Sequence, residues 1–247
     1  MQCMIKVVAT MTLEPYVHQL FLGKVKEVGK KDAIDPMDRL WTTGMFKEPT
    51  SEKVWLSETG LQGDEVGDKK NHGGQEKALF AYPIGHYRYW REIEQIDMHY
   101  GGFGENMAVL EMDEFTVFIG DIYQFGDAII QVSQPRNPCW RPARRYRRKE
   151  LALQIQNTGK TGWYFRVLKP GYVWSKVDLE LKERPYPQWS IAAANEVMHH
   201  EKHDLVRTDE LSRCEGLAPG WREKLQKRLR SRESSIEKRV YGPNIDA

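Results

Sequence analysis

The stretch Gln131-Val132-Ser133-Gln134-Pro135-Arg136-Asn137-Pro138-Cys139-Trp140 sets one cysteine among cations, with Arg136 before it and Arg141, Arg144 and Arg145 after it. Positive charge that close lowers a thiol pKa and favours thiolate, the form that attacks electrophiles and ligates metals. The same residues also fit a half-buried free cysteine that only packs. A second dense patch runs from Gly60 to Ala78 and holds Gly60, Gly63, Gly73 and Gly74 with Lys69, Lys70, His72 and Lys77. Glycine lets the backbone approach a ligand closely, and successive inward N–H groups form an anion nest that the lysines would reinforce. Two tight turns with solvated lysines are the plainer reading.

Three further patterns carry weaker chemistry. Cys139 and Arg145 have the Cys-x5-Arg spacing of cysteine phosphatases, but Pro142 removes a backbone donor from the interval and no glycine eases the turn. His199, His200 and His203 lie near one helical turn without an acidic or cysteine partner, and are expected to be solvent-exposed. Lys224, Lys227, Arg228, Arg230 and Arg232 give the tail a basic run that suits either a solvated face or contact with nucleic-acid phosphates.

The elements that must position these groups read as short strands. Ala128–Val132 is β-branched and apolar, and Pro135 and Pro138 end it. A first strand is expected from Leu20 to Val28, a loop from Lys30 to Lys53, and a return at Lys53–Leu56. Leu79, Tyr82, His86, Tyr89, Trp90 and Ile93 recur at helical spacing. Phe115–Ile119, Gly120-Asp121 and Ile122–Phe125 read as strand, turn, strand. A helix is expected at Leu151–Ile155 and strands follow from Trp163 and from Val177, an antiparallel, partly closed β-barrel pattern. Beyond Pro185 and Pro187 the period is helical. Ser190 caps a first helix, Thr208 a second that ends at Gly216, and Pro219 opens a third with Trp221, Leu225 and Leu229 on one face.

Totals narrow the class. Hydrophobic content of 40% with 29% charged residues is ordinary for a globular chain, and 37 basic against 35 acidic residues is too even to mark a nucleic-acid binder. Cys3, Cys139 and Cys214 show no metal-ligand spacing and no paired framework, which suits a reducing, cytoplasmic setting. No apolar run reaches membrane-spanning length, and Met1–Met11 lacks a signal-peptide core.

Taken together, Gly63-Asp64, Lys70-Asn71-His72-Gly73-Gly74, Lys77-Ala78, Tyr82-Pro83, Phe103-Gly104-Glu105-Asn106, Ile119-Gly120-Asp121 and the block ending in Pro138-Cys139 resemble the MOSC domain. That domain is shared by molybdenum cofactor sulfurases and the mitochondrial amidoxime reducing component. Order and spacing look most like the YiiM branch. The resemblance implies an α+β fold in three parts: an N-terminal extension (1–19), a MOSC β-barrel (20–186) and a three-helix unit (187–247). It also implies a molybdenum–molybdopterin cofactor ligated by Cys139, and reduction of N-hydroxylated compounds such as hydroxylaminopurine-type bases and amidoxime-like substrates. Thiolate is a soft ligand that suits this use.

The expected pocket comprises Cys139 and His72 as catalytic groups, with Lys70, His72, Gly73, Gly74, Asn106, Ser133, Gln134 and Arg136 around the cofactor. No pyridoxal-phosphate domain, four-cysteine cluster or flavin-type glycine fingerprint is present in the sequence, so a separate electron donor, a flavoprotein or similar, is expected. Arg141, Arg144, Arg145, Arg147, Arg148 and Lys149 would dock it by charge, or form a solvated helix face. The tail would also serve a homodimer. A non-catalytic cofactor or sulfur carrier is the alternative, and a nucleic-acid module a more distant one.

Overall fold

A computed structural model describes residues 14–231 and 235–245. In chain order the strands are β1 (Tyr16–Leu22), β2 (Lys26–Val28), β3 (Trp41–Thr43), β4 (Glu48–Thr50), β5 (Val54–Ser57), β6 (Gly60–Leu61) and β7 (Leu79–Pro83). After them come β8 (Met107–Leu110), β9 (Ile122–Phe125), β10 (Ala128–Pro135), β11 (Trp163–Lys169), β12 (Gly171–Val173) and β13 (Val177–Glu183). The helices are α1 (Lys69–His72), α2 (Gly85–Glu92), α3 (Trp140–Tyr146), α4 (Leu151–Thr158), α5 (Ile191–Asn195), α6 (Leu205–Ser212), α7 (Pro219–Leu229) and α8 (Glu237–Val240).

Seven strands close a barrel in the order β1-β13-β9-β10-β11-β7-β8 and back to β1. All neighbours are antiparallel except β7 and β8, which the excursion through α2 joins in parallel. Closure removes the unpaired edges that an open sheet would expose. A hydrophobic cluster fills the interior, with Leu20, Leu79, Tyr123, Phe125, Val132, Trp163 and Phe165 among its members. It runs without a break into Ile191, Val197, Leu211, Trp221 and Leu225 of the helical unit, so those helices complete the barrel's core.

β10 carries the chain to Cys139. Its pairing with β11 shifts register between Val132 and Gln134. A bulge of this kind re-aims the side chains that follow it. Ser133 to Arg136 are all buried beyond that point.

Four sequence expectations are corrected here. β1 begins at Tyr16, earlier than the strand expected from Leu20, and the chain breaks before β2; Met1–Leu13 lie outside the described residues. Leu79 and Tyr82 belong to strand β7 and not to a helix. All five residues of β7 are buried, so the strand shows no alternation and its apolar run imitates a helical period. Phe115–Ile119 forms no strand of the sheet, because Asp113 Oδ1 accepts the N–H groups of Phe115 (2.9 Å) and Thr116 (3.0 Å) and turns the chain. The second C-terminal helix is capped by Asp204, which accepts the Arg207 N–H at 2.9 Å, while Thr208 is buried inside it. Ser190 does cap α5, accepting from the Ala193 N–H, and Pro219 does open α7. Among the described residues no helix is long and apolar enough to cross a membrane.

Asp121 closes the turn before β9. It is fully buried and accepts from the Phe118 N–H (3.0 Å), the Tyr123 hydroxyl (3.1 Å) and both arms of Arg184 (2.9 and 2.8 Å). Asp121→Ala would strand the buried Tyr123 hydroxyl and the part-buried Phe118 N–H and Arg184, so chemical denaturation should show a loss of about 2–3 kcal/mol. A loss under about 0.5 kcal/mol would mean that water replaces the carboxylate.

Candidate functional site

A cavity of ≈ 370 Å³ opens between the barrel and the small sheet of β5 and β6. That is within the range of about 300–1,000 Å³ usual for small-molecule sites. Cys139, His72, Arg136, Arg141, Lys47 and Asp64 bring titratable groups to its wall.

Cys139 is buried and stands at the N-cap of α3. Burial pushes its thiol pKa up. The charge and hydrogen bond of His72, then the Arg136 charge and the Arg141 backbone N–H, outweigh burial and bring the pKa down to about 6. His72 reaches the thiol because α1 is short and fixed at both ends. Asp68 caps it by accepting the Asn71 N–H (3.1 Å), and Lys77 Nζ donates to the Asn71 carbonyl (3.0 Å). Asp68 also takes a hydrogen bond from Arg141 Nη2 at 3.1 Å, which ties the turn of His72 to the helix of Cys139.

Arg136 is the outstanding group. Its guanidinium is buried, lies 4.7 Å from the centre of the Phe80 ring, donates to the Phe103 carbonyl at 3.5 Å and interacts with the Tyr164 hydroxyl. Nε and Nη1 have no hydrogen-bond partner. A buried arginine left so is costly unless an acceptor arrives. The cavity thus presents buried donors that an anion or an oxygen-rich group would satisfy.

Sequence reasoning missed Lys47. It lies in the long excursion before β4, with no periodicity to mark it, and forms a buried ion pair with Asp64. Burial, opposed by the Asp64 charge, holds the Lys47 ammonium below its usual pKa. Asp64 Oδ1 accepts the Gly23 N–H (2.8 Å) and Oδ2 accepts from Asn106 Nδ2 (2.8 Å).

The expected pocket residues separate into two sets. Cys139, His72, Arg136 and Asn106 line the cavity. Asn106 has its amide committed, since Oδ1 accepts the Phe80 N–H (3.1 Å) while Nδ2 holds Asp64, so it orients other groups. Lys70, Gly73, Gly74, Ser133 and Gln134 do not line it. Gly73 and Gly74 end α1, and Gly74 needs its φ of +91° to do so. Ser133 Oγ donates to the Glu76 (2.6 Å) and Tyr164 (3.1 Å) carbonyls, and Gln134 Nε2 contacts the Pro135 carbonyl. Lys70 is exposed and faces an outer groove beside Trp140.

The competing patterns resolve by position. Arg145 donates to the Met45 and Gly101 carbonyls and does not line the cavity with Cys139, which removes the phosphatase geometry. His199 is not solvent-exposed as expected: burial, reinforced by nearby cations, holds its pKa well below the usual value, and Trp221 packs on it. No group of three potential metal-ligating side chains (His, Cys, Asp or Glu) occurs among the described residues. Arg228 of the basic tail is buried and donates to the Val197 and Met198 carbonyls.

The fold and site define a closed-barrel protein with a buried cysteine of lowered pKa and a cavity lined by cationic side chains. Residues 68–179 match the MOSC domain and residues 189–232 the YiiM-like, 3-alpha helix domain. Protein YiiM of Escherichia coli (strain K12) is 38% identical over 194 residues, spanning 77% of this chain and 86% of that protein. The crystal structure of YiiM from Geobacillus stearothermophilus superposes with a TM-score of 0.73 at 35% identity, covering 87% of this chain and 99% of that one. A protein named Reductase from Gibberella moniliformis is 36% identical over 163 residues, 64% of this chain and 28% of that protein. The chain belongs to the YiiM-like MOSC family, with a molybdenum-cofactor-associated function.

Alkylation of Cys139 in the cofactor-free protein should rise with pH through a midpoint near 6 and then level, because only thiolate reacts. His72→Ala leaves burial less opposed, so the midpoint should move up toward the ordinary thiol value of about 8.5; an unmoved midpoint would assign the shift to other groups. Arg136→Met removes the orphaned donors and keeps an apolar contact with Phe80. In the cofactor-free protein it should raise stability by about 1–2 kcal/mol on chemical denaturation. A fall would show that the guanidinium is already satisfied there.

Proposed function

We propose that this protein is a molybdenum-cofactor-dependent reductase of N-hydroxylated compounds, in which Cys139 ligates the metal. The observation that carries the reading is the pairing of a depressed thiol pKa with the two orphaned donors of buried Arg136 in one cavity. A soft anionic ligand and a desolvated fork donor are what a metal–pterin group with a terminal phosphate needs. The donor set therefore fits the group. The relative named Reductase agrees with the redox assignment.

When bound, the cofactor would supply the two electrons that convert R–NHOH and two protons into R–NH2 and water. The protein's own groups do the rest. Arg136 and Arg141 present positive charge to the pterin and its phosphate, and Cys139 offers Sγ to the metal. His72 holds an imidazole N–H beside that sulfur, and Lys47, paired with Asp64, lines the same cavity, so two proton donors border the space left for substrate. Phe80 and Phe103 line the cavity beside Arg136 with apolar rings. Electrons would come from a separate acidic donor protein. Arg144, Arg145 and Arg147 are engaged by carbonyls and carboxylates of this chain, so exposed Lys69 and Lys70 beside Trp140 are the better landing point.

The deciding test measures molybdenum and released pterin fluorescence on wild type and Cys139→Ala made in a host shown to load another molybdenum enzyme. Near-equimolar metal and pterin in wild type, with metal lost from the variant, is the expected result. Wild type without either would overturn the reductase reading.

A further inference from the structure

Residues 235–245 lie beyond both matched segments, yet they lie across the loop of Cys139. α8 brings Arg239 to the Pro138 carbonyl, the last backbone acceptor before the cysteine. The other arm of Arg239 donates to Gln156 Oε1 of α4 at 2.6 Å, and Gln156 is itself buried. Burial lowers the Arg239 pKa while the Cys139 charge opposes the drop, so the two groups feel one another. Further on, Asn244 Nδ2 donates to the Trp140 carbonyl at 3.0 Å, the first backbone acceptor after the cysteine. Asn244 Oδ1 accepts from Arg144 Nε at 2.8 Å, and the Pro243 carbonyl accepts from Arg144 Nη2 at 2.8 Å.

The backbone between the two contacts is shaped for the same purpose. Gly242 has φ +49° and lies against the Trp140 indole, where a Cβ would come 2.3 Å from a ring carbon. Val240 and Asn244 are buried, so this is a packed segment and not a loose end. Carbonyls in an N-cap turn are already served in part by the helix. A half-buried guanidinium and a buried amide spent on the carbonyls of Pro138 and Trp140 point to the residue between them as the thing being held.

We propose that Ile236–Ile245 is a positioning strap for Cys139, with Arg239 and Asn244 as positioning residues that hold the carbonyls of the residues before and after the ligand, Pro138 and Trp140. The inference rests on the reading of Cys139 as the metal ligand. Outer partners of this kind orient the ligating group, and their loss costs about 10–100-fold in metal affinity.

The test uses the full chain with Arg239→Gln, Arg239→Lys and Asn244→Asp. Asn244→Asp keeps an acceptor for Arg144 and loses the donor to Trp140, which separates holding the cysteine from holding the fold. Three quantities are read: molybdenum retained through gel filtration, the Mo(V) electron paramagnetic resonance spectrum, and the rate at which a bulky maleimide modifies Cys139 in cofactor-free protein. Arg239→Gln and Asn244→Asp should release metal about tenfold faster with an altered spectrum, and Arg239→Lys should recover part of the loss. Maleimide modification should quicken in the first two variants, at about pH 8.5 where the thiolate prevails in all of them. Wild-type metal retention, spectrum and maleimide rate in a folded Asn244→Asp protein would overturn the strap, even if Arg239→Gln fails to fold. If wild type carries no molybdenum, the reductase reading falls, and maleimide protection alone still decides the strap.

Discussion

The site depends on the contact between Asp68 and Arg141. One is the cap of a four-residue helix, the other sits on the helix that Cys139 opens, and 3.1 Å separates their charged atoms. Both side chains are partly solvated, so the pair contributes about 1 kcal/mol at most to stability. Its importance is therefore geometric. α1 is too short to be a stable helix by itself, and its other supports are the Asp68 cap and Lys77 at the Asn71 carbonyl. The Arg141 contact selects one placement for it, and that placement carries His72 to the thiol. Without a fixed His72, burial would be opposed only by the Arg136 charge and the Arg141 N–H, and the thiol pKa would rise.

The cavity also keeps opposite charges apart. Cations gather around Cys139, whereas Asp64, which lines the same cavity, is occupied by Lys47, the Gly23 N–H and Asn106. Glu105, fully buried behind it, accepts the N–H groups of Gly101 and Phe103 and the Tyr87 hydroxyl, and burial raises its pKa. Neither carboxylate is left free to neutralise Arg136. A pocket that spent its arginine on an internal acid would be more stable and could not receive an anion.

Much of this was legible in the sequence. The blocks around His72 and Cys139 are spaced as the family spaces them, and the proline-bounded strand, the Gly-Asp turn before β9 and the Ser190 cap are local signals that tertiary packing did not overrule. What escaped reading was of a different kind. Lys47 belongs to the site only because a twenty-residue-scale excursion folds back over the barrel, and no local pattern encodes that return. Leu79–Pro83 is buried on both faces, so the period that separates strand from helix is absent. Arg239 and Asn244 act on backbone carbonyls, which every residue possesses, so their targets have no sequence signature.

The arginines show most clearly why composition alone misleads here. Arg136, Arg141, Arg144 and Arg145 look alike as a basic run, and a basic run suggests an exposed face. In the fold, Arg144 is buried and satisfied by the carbonyls of Pro36, Arg39 and Pro243 and by Asn244; Arg145 holds Met45 and Gly101; Arg141 holds Asp68. A guanidinium suits such work because its fixed fork can serve several acceptors at once. Only Arg136 of the four keeps buried N–H groups that nothing accepts. The same side chain thus ties segments of the chain together in three places and, in the fourth, keeps buried donors on the cavity lining that an anionic ligand would satisfy.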